Sequence, residues 1–240
     1  MLAIAKNTPN TVLVEFNTVL GRLHRVADKT AIQQVSAKFG ETWKHGFTGY
    51  QTGVTKDAVE SLEQRNVPLF KSVTGALKHV RYDEGTDGRQ IYKKVRVSLT
   101  GDEGSVTLTL PLEGDAATRL ISKLQPTTPG EIICIEMWMG FGDARPDGKR
   151  YANVGVSVKT HDDVEVKALP ETAEAIRSAA ERARLAAKEA GLDDKLISAA
   201  AKNSVGNVVR SVLAEIQGAY DKAPPLADDS VSASSENIGY

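Results

Sequence analysis

The segment of residues 69–169 constrains the fold most. Its apolar residues recur with period two, in pieces of strand length divided by tight turns. LFKSVTGALKHVRYD, QIYKKVRVSLT and SVTLTLPL are three extended pieces joined by EGTDG and GDEG, with Gly75 as a bulge or bend in the first. Links that short join antiparallel neighbours, so the three predict a meander. DAATRLISKL then changes to helical spacing, with Leu120, Ile121 and Leu124 on its buried side, and QPTTPG ends it. EIICIEMWM and RYANVGVSVK follow as two strands around the loop GFGDARPDGK, and VEVKAL is a short extended piece after His161, Asp162 and Asp163.

Strand, strand, strand, helix, strand, strand is the element order of an OB-fold, a five-stranded Greek-key barrel. The expected fold is therefore mainly β with helical additions. An OB-fold domain covers residues 66–170, with an N-terminal extension (1–65) packed on or beside it. TVLVEFNTVL in that extension reads as extended, RLHRVADKTAIQQVSAKF as a helix, and TKDAVESLEQRN as a short helix with Thr55 at its N-cap. Residues 171–222 form an Ala-rich helical hairpin. Ala173, Ile176, Ala180, Ala183, Ala187 and Ala190 make a seam in its first helix, and Leu196, Ala199, Val205, Val208, Val209, Val212 and Ile216 make an apolar stripe in its second. The hairpin has two possible uses, packing on the barrel or joining two copies. Residues 223–240, with two prolines and three acids against no base, read as a disordered, mildly acidic tail.

Charge excludes one class of function. With 30 Lys and Arg against 31 Asp and Glu, the chain does not coat nucleic acid by bulk charge. No apolar run approaches the roughly 20 residues that span a bilayer, and MLAIAKNTPN lacks the core of a secretory signal, so the expectation is a cytoplasmic chain without a membrane partner. Cys134, the single cysteine, stands among isoleucines and reads as a packing residue. His24, His45, His79 and His161 are scattered out of any metal spacing, and phosphate-loop, dinucleotide and nucleophile-elbow motifs are missing. No catalytic residue, metal or cofactor is expected, and an enzyme is not.

The strand faces carry the functional signal. Alternation in QIYKKVRVSLT puts Ile91, Val95, Val97 and Leu99 on one face, with Lys93 the exception, and Tyr92, Lys94, Arg96 and Ser98 on the other. In EIICIEMWM, Ile133, Ile135, Met137 and Met139 oppose Glu136 and Trp138. In RYANVGVSVK, Ala152, Val154, Val156 and Val158 oppose Tyr151, Asn153, Ser157 and Lys159. Rings interleaved with cations are what single-strand binding requires: bases stack on the rings and cations track the phosphates, whatever the sequence. Arg145, Lys149 and Arg150 add a basic loop, offset in part by Asp143 and Asp147. A second candidate surface is the Gly-rich stretch GETWKHGFTGYQTG, which displays Trp43, Lys44, Phe47 and Tyr50. The competing reading of both is that the rings pack against the rest of the chain.

Residues 69–169 also resemble bacteriophage-type single-stranded DNA-binding proteins with an OB-fold. The strand that ends in Pro111 and Leu112, the short helix with Ile121 and Leu124, the acidic strand from Glu131 to Trp138, the turn at Gly148 and Lys149, and the strand from Gly155 to Lys159 carry the likeness. The resemblance implies sequence-independent binding of single-stranded DNA in replication or recombination, in the host cytoplasm if the chain is phage-encoded. It also implies an acidic C-terminal tail that contacts replication proteins; here Asp228, Asp229, Glu236 and Tyr240 fit loosely, and the tail is far less acidic than the pattern. The alternative is a structural or assembly protein, of a virion or tail, whose barrel and helices make protein contacts and oligomers.

Overall fold

The computed structural model describes residues 11–50, 53–87, 90–101, 104–144, 146, 148 and 150–222. The expected meander is present as β4 (Ser72–Asp87), β5 (Gln90–Gly101) and β6 (Gly104–Pro111), each antiparallel to the next. β4 pairs on its other side with β7 (Ile132–Phe141), which forms a hairpin with β8 (Ala152–Thr160). Five strands so ordered would close a barrel by joining β6 to β8. They do not, which corrects the expected five-stranded OB-fold: the free edge of β6 instead takes β1 (Val12–Asn17) in parallel. β2 (Arg22–Arg25) and β3 (Leu69–Phe70) continue from β1, giving one eight-stranded sheet in the order β3-β2-β1-β6-β5-β4-β7-β8. The N-terminal residues thus supply strands of the same sheet. With six α-helices among the described residues, the fold is mixed α/β.

The sheet curls into a half-barrel. β2 and β7 stand five places apart in the sheet order yet touch, and Met139 on the apolar face of β7 reaches Gly21 at the turn between β1 and β2. That turn is held by Asn17, whose Oδ1 accepts the backbone N–H groups of Val19 and Leu20 at 2.9 and 3.1 Å, and by Gly21 at φ 62°. The apolar face, with Val14, Leu77, Val97, Leu108, Ile135 and Val158, is the inner one. Two helices complete its core. α4 (Asp115–Leu124) contributes Ala117, Leu120, Ile121 and Leu124, and α6 (Asp194–Lys222) contributes Val209, Val212, Leu213 and Ile216.

The helical hairpin packs on this body through α6. α5 (Pro170–Glu189) lies along α6, and Gln125, just past the end of α4, ties the two together by accepting from Thr172 Oγ1 at 2.5 Å and donating to Glu215 at 2.9 Å. A smaller core gathers under α1 (Lys29–Phe39) and α3 (Val54–Glu63), with Leu20, Ile32, Val35, Ala58 and Leu62; between them α2 (Glu41–Lys44) is a single turn.

Local differences from the sequence reading have physical causes. The helix expected over residues 22–39 begins only at Lys29, because Arg22–Arg25 pairs with β1. Thr55 does not cap α3: Gly53 holds that position, and Thr55 Oγ1 donates instead to Val19 O at 3.1 Å. The bulge in β4 falls between Leu77 and His79, not at Gly75. Gly75 is needed for a different reason, since a Cβ there would stand 2.8 Å from Thr100 O of the neighbouring strand. VEVKAL forms no strand, making one bridge, Lys159 to Glu165. The expected tail lies outside the described residues.

Candidate nucleic-acid interface

Strand register decides which side chains share the outer face. Cross-strand partners lie on the same face, so Tyr92, Lys94 and Arg96 on β5 stand with Gly85, Asp83 and Arg81 on β4. Cys134, Glu136 and Trp138 on β7 stand with Lys159, Ser157 and Gly155 on β8, and Asn153 follows opposite Gly140. The outward sets read from alternation therefore occupy one surface. Cys134 belongs to it, half-buried between the neighbours Thr74 and Lys159, and not to the core.

Two rings on this face lie over glycines. A Cβ on Gly155 would fall less than 3.0 Å from Cε2, Cζ2 and Nε1 of Trp138, so the indole occupies the space that a side chain would take. Trp138 remains 40 % exposed. Tyr92 leans over Gly85 in the same way, with Lys94 Nζ 5.2 Å from its ring centre. Alternation alone puts Gly155 between Asn153 and Ser157; the missed signal was that a glycine opposite an aromatic makes a seat for the ring. The seats are far apart. Gly85 is level with Tyr92 and Ser72 with Glu136, so thirteen residues of β4, about 40 Å of strand, separate the two neighbourhoods. Trp138 and Tyr92 do not form one pocket.

Charge on the middle of the face is largely cancelled. Arg96 pairs with Asp83 at 2.6 Å, Lys94 with Glu15 of β1 at 3.5 Å, and Lys159 with Asp163 at 2.7 Å. The hydrogen bond and charge of Asp163 hold the Lys159 ammonium above its ordinary pKa. Arg81 and Arg150 are exposed and make no ion pair among the described residues. Arg145 and Lys149 lie outside the described residues.

At the tip of the β7–β8 hairpin the rings converge. Phe47 packs on Phe141 with centroids 5.5 Å apart, and Arg22 of β2 sits 4.8 Å above the Tyr50 ring. Trp43 instead folds onto the smaller core, its ring 6.3 Å from Phe39, and Lys44 pairs with Glu41 at 2.5 Å. Within the Gly-rich stretch Trp43 caps the smaller core, as the packing reading has it, and Phe47 packs on Phe141 of the hairpin. Tyr50, Trp138, Phe141 and Tyr151 are 42, 40, 49 and 55 % exposed, large values for rings of this size; Trp138 stands on the outer face, whereas Phe141 has the parity of Met137 and Met139 on the inner one. Phe141, Arg22 and Arg81 were not singled out by the sequence, since only the curl of the sheet or the register gives them these neighbours.

No group of three or more His, Cys, Asp or Glu that could hold a metal ion occurs among the described residues, and no described helix is long and apolar enough to cross a membrane. No family model, curated protein or solved structure matches the chain.

Proposed function

We propose that the outer face at the β7–β8 hairpin binds single-stranded DNA without regard to sequence, as in replication or recombination. Bases stack on Trp138 and the neighbouring rings, while Arg22 and Arg150 meet the phosphates. The observation that carries this reading is Trp138 seated over Gly155 and still 40 % exposed, with Tyr151 also exposed two residues before the outward Asn153. Such a surface offers each base about 1–3 kcal/mol of stacking and reads no base edge. Two arginines give a shallow salt dependence, a log–log slope of about −1.4 for two phosphates on a single strand. The experiment is titration with an oligo-dT of about 30 nucleotides, read by tryptophan fluorescence at several salt concentrations. Saturable quenching that weakens with salt supports the proposal; its absence at low salt ends it.

A second reading is favoured by a separate observation. Leu185, Leu192 and Leu196 are exposed around the tip of the α5–α6 hairpin, which suits a structural or assembly protein that makes protein contacts there. It predicts a stable oligomer that light scattering detects without oligonucleotide, and that Leu185→Ser with Leu196→Ser dissociates.

A further inference from the structure

A cleft of about 250 Å³ lies between helix α1 and the outer face of the β1–β2 hairpin. Glu15 and His24 face each other across that hairpin and form its floor, while Lys29, Gln33 and Ser36 line it from one side of α1 and the Trp43 indole adds an aromatic wall.

His24 is the telling residue. It is only 5 % exposed, and its Nδ1 lies 2.9 Å from Arg25 O. A carbonyl can only accept, so Nδ1 carries the proton and Nε2 of the neutral ring is an acceptor. Nε2 has no hydrogen-bond partner among the described residues, and neither have the side chains of Lys29, Gln33 and Ser36 or the indole N–H of Trp43. The atom is not walled off, since the buried side-chain atoms without a partner among the described residues are Arg96 Nε and Tyr220 Oη; it opens on the cleft, where water or a ligand completes it. Here it stands beside a set of open donors and acceptors and an indole, in a space below the range of drug-sized ligands.

Planar heterocycles with donors and acceptors on their edges match that lining. We infer that this cleft binds a nucleobase, with the ring against Trp43, an N–H of the base donated to His24 Nε2, and the opposite edge met by Gln33 and Ser36. The base comes either from a free nucleoside or from a strand on the outer face. A route for the second source exists. From His24 the outer-face row crosses the sheet through Glu15, Thr109, Arg96 and Arg81 on successive strands, about 19 Å at the usual strand spacing. The strand source rests on the function proposed above; the free-nucleoside source does not.

Trp138→Phe leaves Trp43 as the sole indole and makes it the reporter. The full-length variant is titrated with adenosine, guanosine, cytidine and thymidine, each to roughly 10 mM, and separately with oligo-dT. The expected result is saturable change in Trp43 emission with at least one nucleoside, or with the oligonucleotide when the strand is the source. Gln33→Ala with Ser36→Ala, on the exposed side of α1, weakens that binding by about five-fold or more without altering the far-ultraviolet spectrum. A Trp43 signal silent to every nucleoside and to oligo-dT overturns the inference, as does binding unchanged in the double variant. Failure of the two proposals is distinguishable. Oligo-dT that quenches Trp138 while Trp43 stays silent to it and to every nucleoside removes the cleft alone, and nucleoside binding without oligonucleotide binding removes the strand-binding surface alone.

Discussion

Gly155→Ala tests the seat of Trp138 with a single methyl group. Gly155 has no positive φ, so alanine is free to adopt its backbone conformation, and the change itself favours a strand by about 0.5–1 kcal/mol. The methyl carbon, however, would stand less than 3.0 Å from three atoms of the indole, and the ring must leave. An aromatic side chain buries about 150–250 Å² when covered, and Trp138 is 40 % exposed, so lifting the ring off the sheet returns roughly 90–150 Å² to water, or about 2–4 kcal/mol at 25 cal/mol/Å². The two effects leave a net loss of about 1–3 kcal/mol, and for a chain of this size each kcal/mol lowers Tm by about 2–4 °C. The variant stays folded while the stacking platform is lost. In a Trp43→Phe background, where Trp138 is the only indole, its emission moves to longer wavelength and its near-ultraviolet circular dichroism fades. Oligo-dT affinity then falls by about 5- to 150-fold, the equivalent of one stacked base at 1–3 kcal/mol. Unchanged emission refutes the seat over Gly155, and displaced emission with unchanged affinity refutes stacking on Trp138.

Three further outcomes are expected. Leu213→Ala, which opens a cavity where α6 meets the sheet, costs about 2–5 kcal/mol in chemical denaturation, and a loss under 1 kcal/mol would show that α6 does not belong to the main core. Tyr220→Phe removes a buried hydroxyl whose polar neighbour, Thr127, spends its own proton on Leu124 O and leaves the hydroxyl without a well-formed hydrogen bond, while burial pushes its pKa up; the variant is neutral or more stable by up to about 1 kcal/mol, and clear destabilisation shows that the Thr127 contact holds α6 in place. Burial by itself would raise the Glu165 carboxyl, but hydrogen bonds from Lys123 and Ser157 and the Lys123 charge outweigh it and hold its pKa below 4.5. A depressed folded pKa contributes stability that is present above the unfolded value and disappears as pH falls through the folded one. Glu165→Gln therefore flattens the acid limb of a stability–pH curve below about pH 4.5, and an unaltered limb rules the contribution out.

The sequence discloses what is local in this fold and conceals what is distant. Alternation placed the faces of β5, β7 and β8 correctly because each residue's side is fixed by its immediate neighbours, and DAATRLISKL declared α4 through its spacing and its Gly114 approach. The parallel pairing of β1 with β6 has no such signature. VLVEFN reads as a strand but not as a neighbour of GSVTLTLP, and β3 has two residues, too few for any period. Because that pairing was hidden, so was the completion of the sheet by the N-terminal residues, which turned an expected five-stranded barrel into an eight-stranded curl. The candidate interface divides the same way. Trp138, Tyr151 and Asn153 were legible from alternation, whereas Arg22 and Phe141 join the cluster only through the contact of β2 with β7 and of Phe47 with Phe141. The pairing of Lys94 with Glu15, across the β1–β6–β5 order, also lay outside what a local pattern contains.

The parallel β1–β6 junction has a kinetic consequence. Its partners, Val12 with Val106 through Glu15 with Thr109, are more than ninety residues apart in the chain, whereas β4, β5 and β6 meet through short turns. Closing so long a loop is slow compared with zipping a meander. During synthesis the β1–β2 hairpin leaves the ribosome first and waits, one edge bare, until β6 has emerged and docked. The polar Glu15 and Asn17 among its valines and phenylalanine keep that waiting edge from being a uniformly apolar strand.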